Sequence, residues 1–500
     1  MQPKLKKIFL INNINTWHAI LGILLLCLFL FLSFTITDEH HWSDWAFGDA
    51  QSILTIRHWE EKGWLKNKLL FIPQGYARVV ELFDKPPLRH HAHGTITGTI
   101  GPRLYYTHYP SGYLIPYALL SKMGYNDITY LRKLSLLFSF GAVILMYILF
   151  SRITSPRISF VVVVFYLLSP SFLGFANSIA NQPIDDLLRF AFMLLIVLST
   201  RTSSLSHMRI YKTSAWIVEF LLSLSSFDSV FFVYIWLVGW DLIEHRGFRW
   251  KTYVVFALAP LAAQGLLFLQ NVWYLGLNDS IRDFWFTFSS KSEMSKGYNR
   301  YCLFWNALIK LFSNLYKPSF LILLFFIFYS INVKFFKKEG IKELPSLRLV
   351  FILFLCGLIF LFVFPRSGEA LYQTRQLIPS VALLVSATTW SFLKVVKQSF
   401  CRRGYFIGII KNCNIRKKII LLYMLICLAT LAFFWQRLMF NKWEPYFIPP
   451  YHPDILLDKQ IKSTQTKYDP VIFEMGSFLV YHDLNYVPGF HQIDPVNEYF

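Results

Sequence analysis

Two small groups of carboxylates in this chain are placed where they could move protons. Asp49 follows Gly48 at what reads as the start of a helix. Ile53, Leu54, Ile56 and Trp59 fall largely on one face after it, and Gly63 offers a stop. An aspartate there either caps the helix or serves as a general base that takes a proton from an acceptor nucleophile. Asp38, Glu39 and Asp44 stand shortly before it as alternative acids for the same role. Asp185 and Asp186 follow Gln182-Pro183 at the mouth of an apolar segment. Acids in a first helical turn interact well with the helix dipole. Two adjacent acids at the edge of an apolar segment are nevertheless costly, which marks them as candidates for catalysis. Asp228 stands at a short turn and follows the same logic.

Around these acids are groups suited to a phosphate and its substituents. Arg103, Arg366 and Arg375 could each fork onto phosphate oxygens with two parallel N–H bonds, or could simply snorkel at an interface. Tyr106 and His108 belong to the aromatic stretch from Tyr105 to Tyr113 and are candidates for substrate contact. His40, His41, His90, His91, His93 and His108 have the chemistry of metal ligands, and His91 and His93 are spaced for one ion. None of the Cys and His spacings matches a structural zinc pattern, so the metal stays open, with a divalent cation on carboxylates among the options. The six cysteines include no CxxC pair, which argues against a disulfide framework or a zinc ribbon.

The elements that must position these residues are membrane spans. The sequence is 55% hydrophobic and 16% charged, with a mean hydropathy of +0.43. That surplus of apolar surface needs a lipid solvent. The formal charge of +20 comes from Lys and Arg in short loops between apolar runs, which is the positive-inside pattern and not a nucleic-acid footprint. Lys4, Lys6 and Lys7 precede an apolar run over about 17–36 that reads as an uncleaved first span entering from the cytoplasm. Residues 37–130 then form a large extracytoplasmic loop holding short interfacial helices. Further spans are expected over about 131–150, 159–175, 187–200, 252–269, 318–331, 347–364, 377–392 and 419–435. The segment 215–243 reads as two short helices turning near Ser225-Ser226-Phe227-Asp228. A single crossing would put the basic stretch 244–251 outside, against the charge rule. The expected fold is therefore an all-α polytopic membrane protein of about eleven transmembrane helices. Its transmembrane domain is 1–435, with a small extracytoplasmic C-terminal region at 436–500. The N-terminus is cytoplasmic and the C-terminus extracytoplasmic, and a bacterial plasma membrane is the expected location. With that topology Asp49, Asp185, Asp186, Arg366 and Arg375 share the outer face.

Several segments taken together resemble the GT-C superfamily of membrane glycosyltransferases, of the protein O-mannosyltransferase and lipid A aminoarabinose transferase type. The matching segments are Gly48-Asp49-Ala50-Gln51-Ser52-Ile53 running on to Trp59-Glu60-Glu61-Lys62-Gly63, Thr107-His108-Tyr109-Pro110-Ser111-Gly112-Tyr113-Leu114, and Arg132. Ser169-Pro170-Ser171-Phe172 leading to Asp185-Asp186-Leu187 is similar to the second outer hairpin. Tyr372-Gln373-Thr374-Arg375-Gln376-Leu377-Ile378-Pro379 is similar to the late Arg-bearing approach to a span. Pro110-Ser111 departs from the usual double proline, and Gly48-Asp49 from the usual Asp-Glu. The resemblance implies transfer of a sugar from a polyprenyl-phosphate donor to a lipid, glycan or protein acceptor at the outer face, with an aspartate as base and cations on the departing phosphate. A flippase or transporter of lipid-linked saccharides is the alternative, and would predict acids deep in several spans and internal symmetry. A polymerase or ligase using the same donor is kept open by the 271–317 loop.

Overall fold

The computed structural model describes residues 16–36, 46–71, 107, 110–167, 169–244, 247–291, 305, 345–363, 376–387, 390, 471–472 and 486–487. The described chain is helical apart from one two-residue parallel pairing, in which Val471 faces Tyr486 and Ile472 faces Val487. In chain order the helices are α1 (Thr16–Thr35) and α2 (Ala46–Lys62), a 3-10 turn (Gly112–Leu114), α3 (Ile115–Lys122), α4 (Ile128–Ile153), α5 (Pro156–Leu167), α6 (Pro170–Phe175) and α7 (Asn181–Arg201). They continue as α8 (Leu205–Ser225), α9 (Asp228–Ile243), α10 (Trp250–Leu275), α11 (Leu277–Lys291), α12 (Leu347–Val363) and α13 (Ile378–Ala387). Among the described residues α1, α4 and α10 are long and apolar enough to cross a membrane, by length and composition. Helices α5, α9, α12 and α13 add shorter apolar segments.

Most helices exceed the apolar runs that identify them. Helix α4 gains a turn because Asp127 caps its start by accepting the Thr129 N–H, and α8 begins at Leu205 because Ser204 accepts the His207 N–H. Arg209 and Lys212, expected in a loop, therefore lie on α8. The two helices expected within 215–243 are present, but the first is 21 residues long because it starts ten residues earlier. The turn falls at Ser226 and Phe227. The span expected over 159–175 is broken in two. Ser169 accepts the Phe172 N–H, Pro170 follows at the first helical position, and α6 restarts as a separate six-residue piece. The spans expected at 318–331 and 419–435 lie outside the described residues.

One apolar core runs through the bundle, joining α1, α4, α5, α6, α7, α8, α9, α12 and α13 through side chains such as Met146, Phe150, Val162, Phe190, Phe192, Trp236, Trp240 and Leu353. At one end of the bundle the cations collect. Arg201 pairs with Glu244 at 2.9 Å and donates to the Arg152 carbonyl, Trp240 Nε1 donates to Thr200 Oγ1 at 2.9 Å, and Arg249 pairs with Asp241. A second core caps the opposite end. There Ile53, Ile56 and Trp59 of α2 meet Leu70, Tyr113, Leu114 and Tyr117, together with Leu131, Ile179, Ile184 and Tyr274 from the bundle. The described parts of the insert, 46–71 and 110–122, thus pack onto the end of the bundle away from the cations.

Candidate active site

Helix α2 starts at Ala46, so Asp49 is inside its first turn and not at the cap. Its carboxylate is fully buried and accepts the Ser178 hydroxyl at 2.5 Å, from the hairpin between α6 and α7. The expected apolar face docks α2, with Ile53, Ile56 and Trp59 all buried and the Trp59 indole donating to the Leu70 carbonyl at 3.0 Å. Gly63 ends the helix with φ of 88°, a left-handed conformation that suits glycine. The Asn67 side chain then donates to the His58 and Gly63 carbonyls at 2.7 and 3.0 Å, closing the last turn. Lys68 and Leu69 also have positive φ, at 54° and 55°. Two side chains hold that strained pair: Gln270 Nε2 donates to the Lys68 carbonyl at 2.9 Å, and the Ser111 hydroxyl to the Leu69 carbonyl at 2.5 Å. Ser111, where the related motif has a second proline, makes a bond that proline could not.

Ser111 leads into the 3-10 turn, whose Gly112 lies against the end of α8. A Cβ there would stand 2.5 Å from the Leu224 carbonyl oxygen, so glycine is required for the close approach. The turn aims Tyr113 inward, fully buried, with its hydroxyl 3.0 Å from Ser52 Oγ on α2. Tyr117 follows one helical turn later, its hydroxyl 2.9 Å from Ser135 Oγ on α4. Burial pushes the Tyr113 phenol well above its ordinary range. The Ser52 hydrogen bond pulls it partly back, and the charges of Asp49 and Asp185 push it further up. Tyr117 is raised for the same leading reason, with both acids contributing. Both phenols therefore keep their protons, and both lie in the field of both carboxylates.

Asp185 comes from the first turns of α7. It is fully buried and accepts the Asn181 side-chain amide at 2.7 Å. Its neighbour Asp186 points elsewhere, since one step along a helix rotates a side chain by about 100°. Asp186 accepts the Tyr166 hydroxyl at 2.8 Å and pairs with Arg189 at 2.6 Å. The Arg189 guanidinium goes on to Ser229 at 2.9 Å and lies 4.9 Å from the centre of the Phe232 ring. Asp186 thus ties α5, α7 and α9 together, while the charges of Asp49 and Asp185 both reach Tyr113. Arg103, Tyr106, His108, Arg366, Arg375, Asp38, Glu39 and Asp44 lie outside the described residues, as do His40, His41, His90, His91 and His93. Among the described residues no three His, Cys, Asp or Glu side chains gather as a metal site.

Tyr113, Ser178 and Asn181 were not singled out from sequence. Asn181 and Asp185 do stand four residues apart, the spacing at which helical side chains meet. Ser178 carries no such signal, because its partner is 129 residues away.

Two buried acids, one from the described part of the first insert and one from the start of a bundle helix, thus lie at one end of a helical bundle, and the fold as a whole is similar to that of a solved membrane protein. The likeness is to ArnT from Cupriavidus metallidurans. The undecaprenyl-phosphate-bound structure of that protein matches 95% of this chain and 86% of its own with a TM-score of 0.54 at 11% identity. The apo structure matches the same shares with a TM-score of 0.51 at 12% identity. The oligosaccharyltransferase of Archaeoglobus fulgidus in its apo form matches 93% of this chain and 64% of its own at a TM-score of 0.43 and 11% identity, too loose for detail. No family model and no curated protein matches the sequence.

Proposed function

We propose that the protein is a membrane glycosyltransferase that moves a sugar from a polyprenyl-phosphate donor to an acceptor on the outer face of the membrane. The observation that carries this reading is a pair of buried acids, Asp49 and Asp185, brought from distant parts of the chain to within electrostatic range of Tyr113 in an ArnT-like fold. The ArnT structure holds undecaprenyl phosphate, which supports a polyprenyl phosphate as the donor class here.

In this reading Asp49 is the general base. It takes the proton of an acceptor hydroxyl as that oxygen attacks the anomeric carbon. The bond from that carbon to the phosphate oxygen breaks, and polyprenyl phosphate leaves with the electron pair, so the centre inverts in one displacement. The Ser178 hydroxyl fixes the Asp49 rotamer, and Asn181 fixes Asp185. Asp185 orients the acceptor or, with Asp49, offers oxygens to a divalent cation. Arg103, Arg366 and Arg375 are assigned to the phosphate, and Tyr106 and His108 to the sugar or acceptor. Asp186 supports the site by holding α7 through Arg189. The acceptor is a lipid, glycan or protein reached from outside a bacterial plasma membrane.

Purified protein in nanodiscs, given a polyprenyl-phosphate sugar and an acceptor extract, is expected to release polyprenyl phosphate. Asp49→Asn should cut that release by about 10²–10⁴-fold with an unchanged melting temperature. Full activity in Asp49→Asn would remove Asp49 from the mechanism. Transport of the labelled donor across liposomes without release would replace transfer by translocation.

A further inference from the structure

The hairpin between α6 and α7, with the first turn of α7, carries the amide and hydroxyl side chains Asn177, Ser178, Asn181 and Gln182 in close succession. All of them are buried, at 3%, 0%, 7% and 2% exposure. The segment is fixed at the end of the bundle where the insert packs, because Ile179 and Ile184 lie in the second core with Ile53, Ile56 and Tyr113. Ser178 and Asn181 are committed to the acids: Ser178 donates to Asp49 at 2.5 Å and Asn181 to Asp185 at 2.7 Å. Asn177 and Gln182 are not. Among the described residues, Asn177 Oδ1 and Gln182 Oε1 are buried and have no hydrogen-bond partner. Asn177 adjoins Ser178 in the chain. Gln182 stands three positions before Asp185 on α7, a spacing at which helical side chains are neighbours.

Taking an amide oxygen out of water without giving it a donor is unfavourable, and nearly all buried polar atoms in folded proteins are paired. Closing the hairpin does not require the exception. Leucine has nearly the shape of asparagine and methionine that of glutamine, and neither leaves a polar atom unmet. The chemistry of the two side chains says what would meet them. A carboxamide has no charge and offers both N–H donors and an acceptor oxygen, so it matches a neutral group that itself donates and accepts. That group is a hydroxyl and not a phosphate, which charged donors hold better. We propose that Asn177 and Gln182 bind hydroxyl groups of the saccharide that reacts at Asp49 and Asp185. The hairpin then works in two parts: Ser178 and Asn181 hold the acids, and Asn177 and Gln182 hold the ring on which the acids act. This inference rests on the transfer reaction proposed above and adds to it the residues that tell one sugar from another. A polar group placed to pair with a hydroxyl discriminates strongly against an analogue that lacks it.

The test uses Asn177→Leu and Gln182→Met in the full-length protein in nanodiscs. Release of polyprenyl phosphate is measured against donor concentration, against acceptor concentration, and with undecaprenyl phosphate alone as an inhibitor. Each variant is expected to raise a KM by about threefold to tenfold, the worth of one neutral hydrogen bond, with kcat little changed. A rise in KM for the donor assigns the hydroxyls to the transferred sugar, and a rise for the acceptor assigns them to an acceptor saccharide. Inhibition by undecaprenyl phosphate, which carries no sugar, should be unchanged. The melting temperature of the ligand-free variants should equal or exceed that of the wild type, because the unmet amide is gone. A lower melting temperature with release falling in step would show a structural role and overturn the proposal. Wild-type KM values in both variants would also overturn it, as would weaker inhibition by undecaprenyl phosphate. A wild-type protein that releases no polyprenyl phosphate would instead remove the reaction itself, and this inference with it. The inference fails alone when the wild type turns over and the variants match it.

Discussion

In the proposed reaction Asp49, Asp185 and Tyr113 act at the scale of single residues, and the roles proposed for them are separable by substitution. Tyr113→Phe removes the hydroxyl that meets Ser52 and feels the charge of both acids, and leaves the ring filling the second core. A neutral hydrogen bond lost from a buried site costs about 1 kcal/mol, and the same amount lost from a transition state lowers turnover by roughly fivefold to tenfold. Release of polyprenyl phosphate at saturating donor should fall by about that factor, with KM for the donor little changed. Ser52→Ala is the comparison: it strips the phenol of its partner but keeps the phenol against the acids, so a larger loss from Tyr113→Phe than from Ser52→Ala separates orientation of the acids from packing. The acids themselves were legible by type and place. What adjacency concealed was the divergence of Asp185 and Asp186. The spacing of Arg189 suits either acid, at i+4 from Asp185 and i+3 from Asp186, and only the structure shows that it pairs with Asp186. Ser178 was invisible because nothing in a local window ties a hairpin serine to an acid 129 positions earlier.

Element by element, the long apolar helices α1, α4 and α10 were readable because a run of about twenty apolar residues has few other uses. Interruptions of the apolar runs were not. The apolar composition of 159–175 is continuous, and only the Ser169-Pro170 pair, as cap and first helical residue, marks the break into α5 and α6. The way α7 sits among its neighbours rests on a buried ion pair, one member of which, Asp186, the sequence reading placed among the catalytic candidates. Asp186 and Arg189 cross-link α5, α7 and α9 with Tyr166 and Ser229. Asp186→Asn leaves a buried guanidinium without its counter-charge, and such a loss costs about 3–5 kcal/mol. The melting temperature in detergent should drop accordingly. The double variant Asp186→Leu with Arg189→Met removes the charge altogether and is expected to recover most of the loss, because apolar replacement of a buried pair is often neutral. A second element-level test concerns the junction of the insert with α8. Gly112→Ala drives a methyl into the Leu224 carbonyl, backbone that cannot step aside cheaply, and should cost about 1–3 kcal/mol. Its activity loss should exceed what Ser111→Ala causes by freeing the Leu69 carbonyl.

Across the whole molecule, the site depends on how α10 and α11 hold the insert against the bundle. Gln270 takes the Lys68 carbonyl, Asn271 donates to the Thr107 carbonyl at 3.2 Å, and Asp283 takes the Thr107 hydroxyl. Both points of contact, Lys68 and Thr107, lie between Asp49 and Tyr113 in sequence, so the docking of α10 and α11 and the order of the site are coupled. That docking has a pH dependence whose sign can be worked out. Burial raises the Asp283 carboxyl from 3.8 to about 6, and the Thr107 hydrogen bond offsets part of the rise. The docked state therefore binds more protons than the undocked state between those two values, and stability falls as pH rises through that window. Docking is strongest below about pH 4 and weakest above about pH 6, where Asp283 is a charge held out of water. Amide exchange over 277–291, corrected for the intrinsic rate, should show greater protection at pH 5 than at pH 8. Asp283→Asn keeps an acceptor for Thr107 but has no proton to lose, so its protection should be level across the same range. A wild-type profile as flat as that of the variant would place the Asp283 charge in water and uncouple α11 from the insert. A fall in protection with pH confined to 277–291, together with a parallel fall in transfer activity, would identify this clamp as the element through which α11 steadies the buried acids.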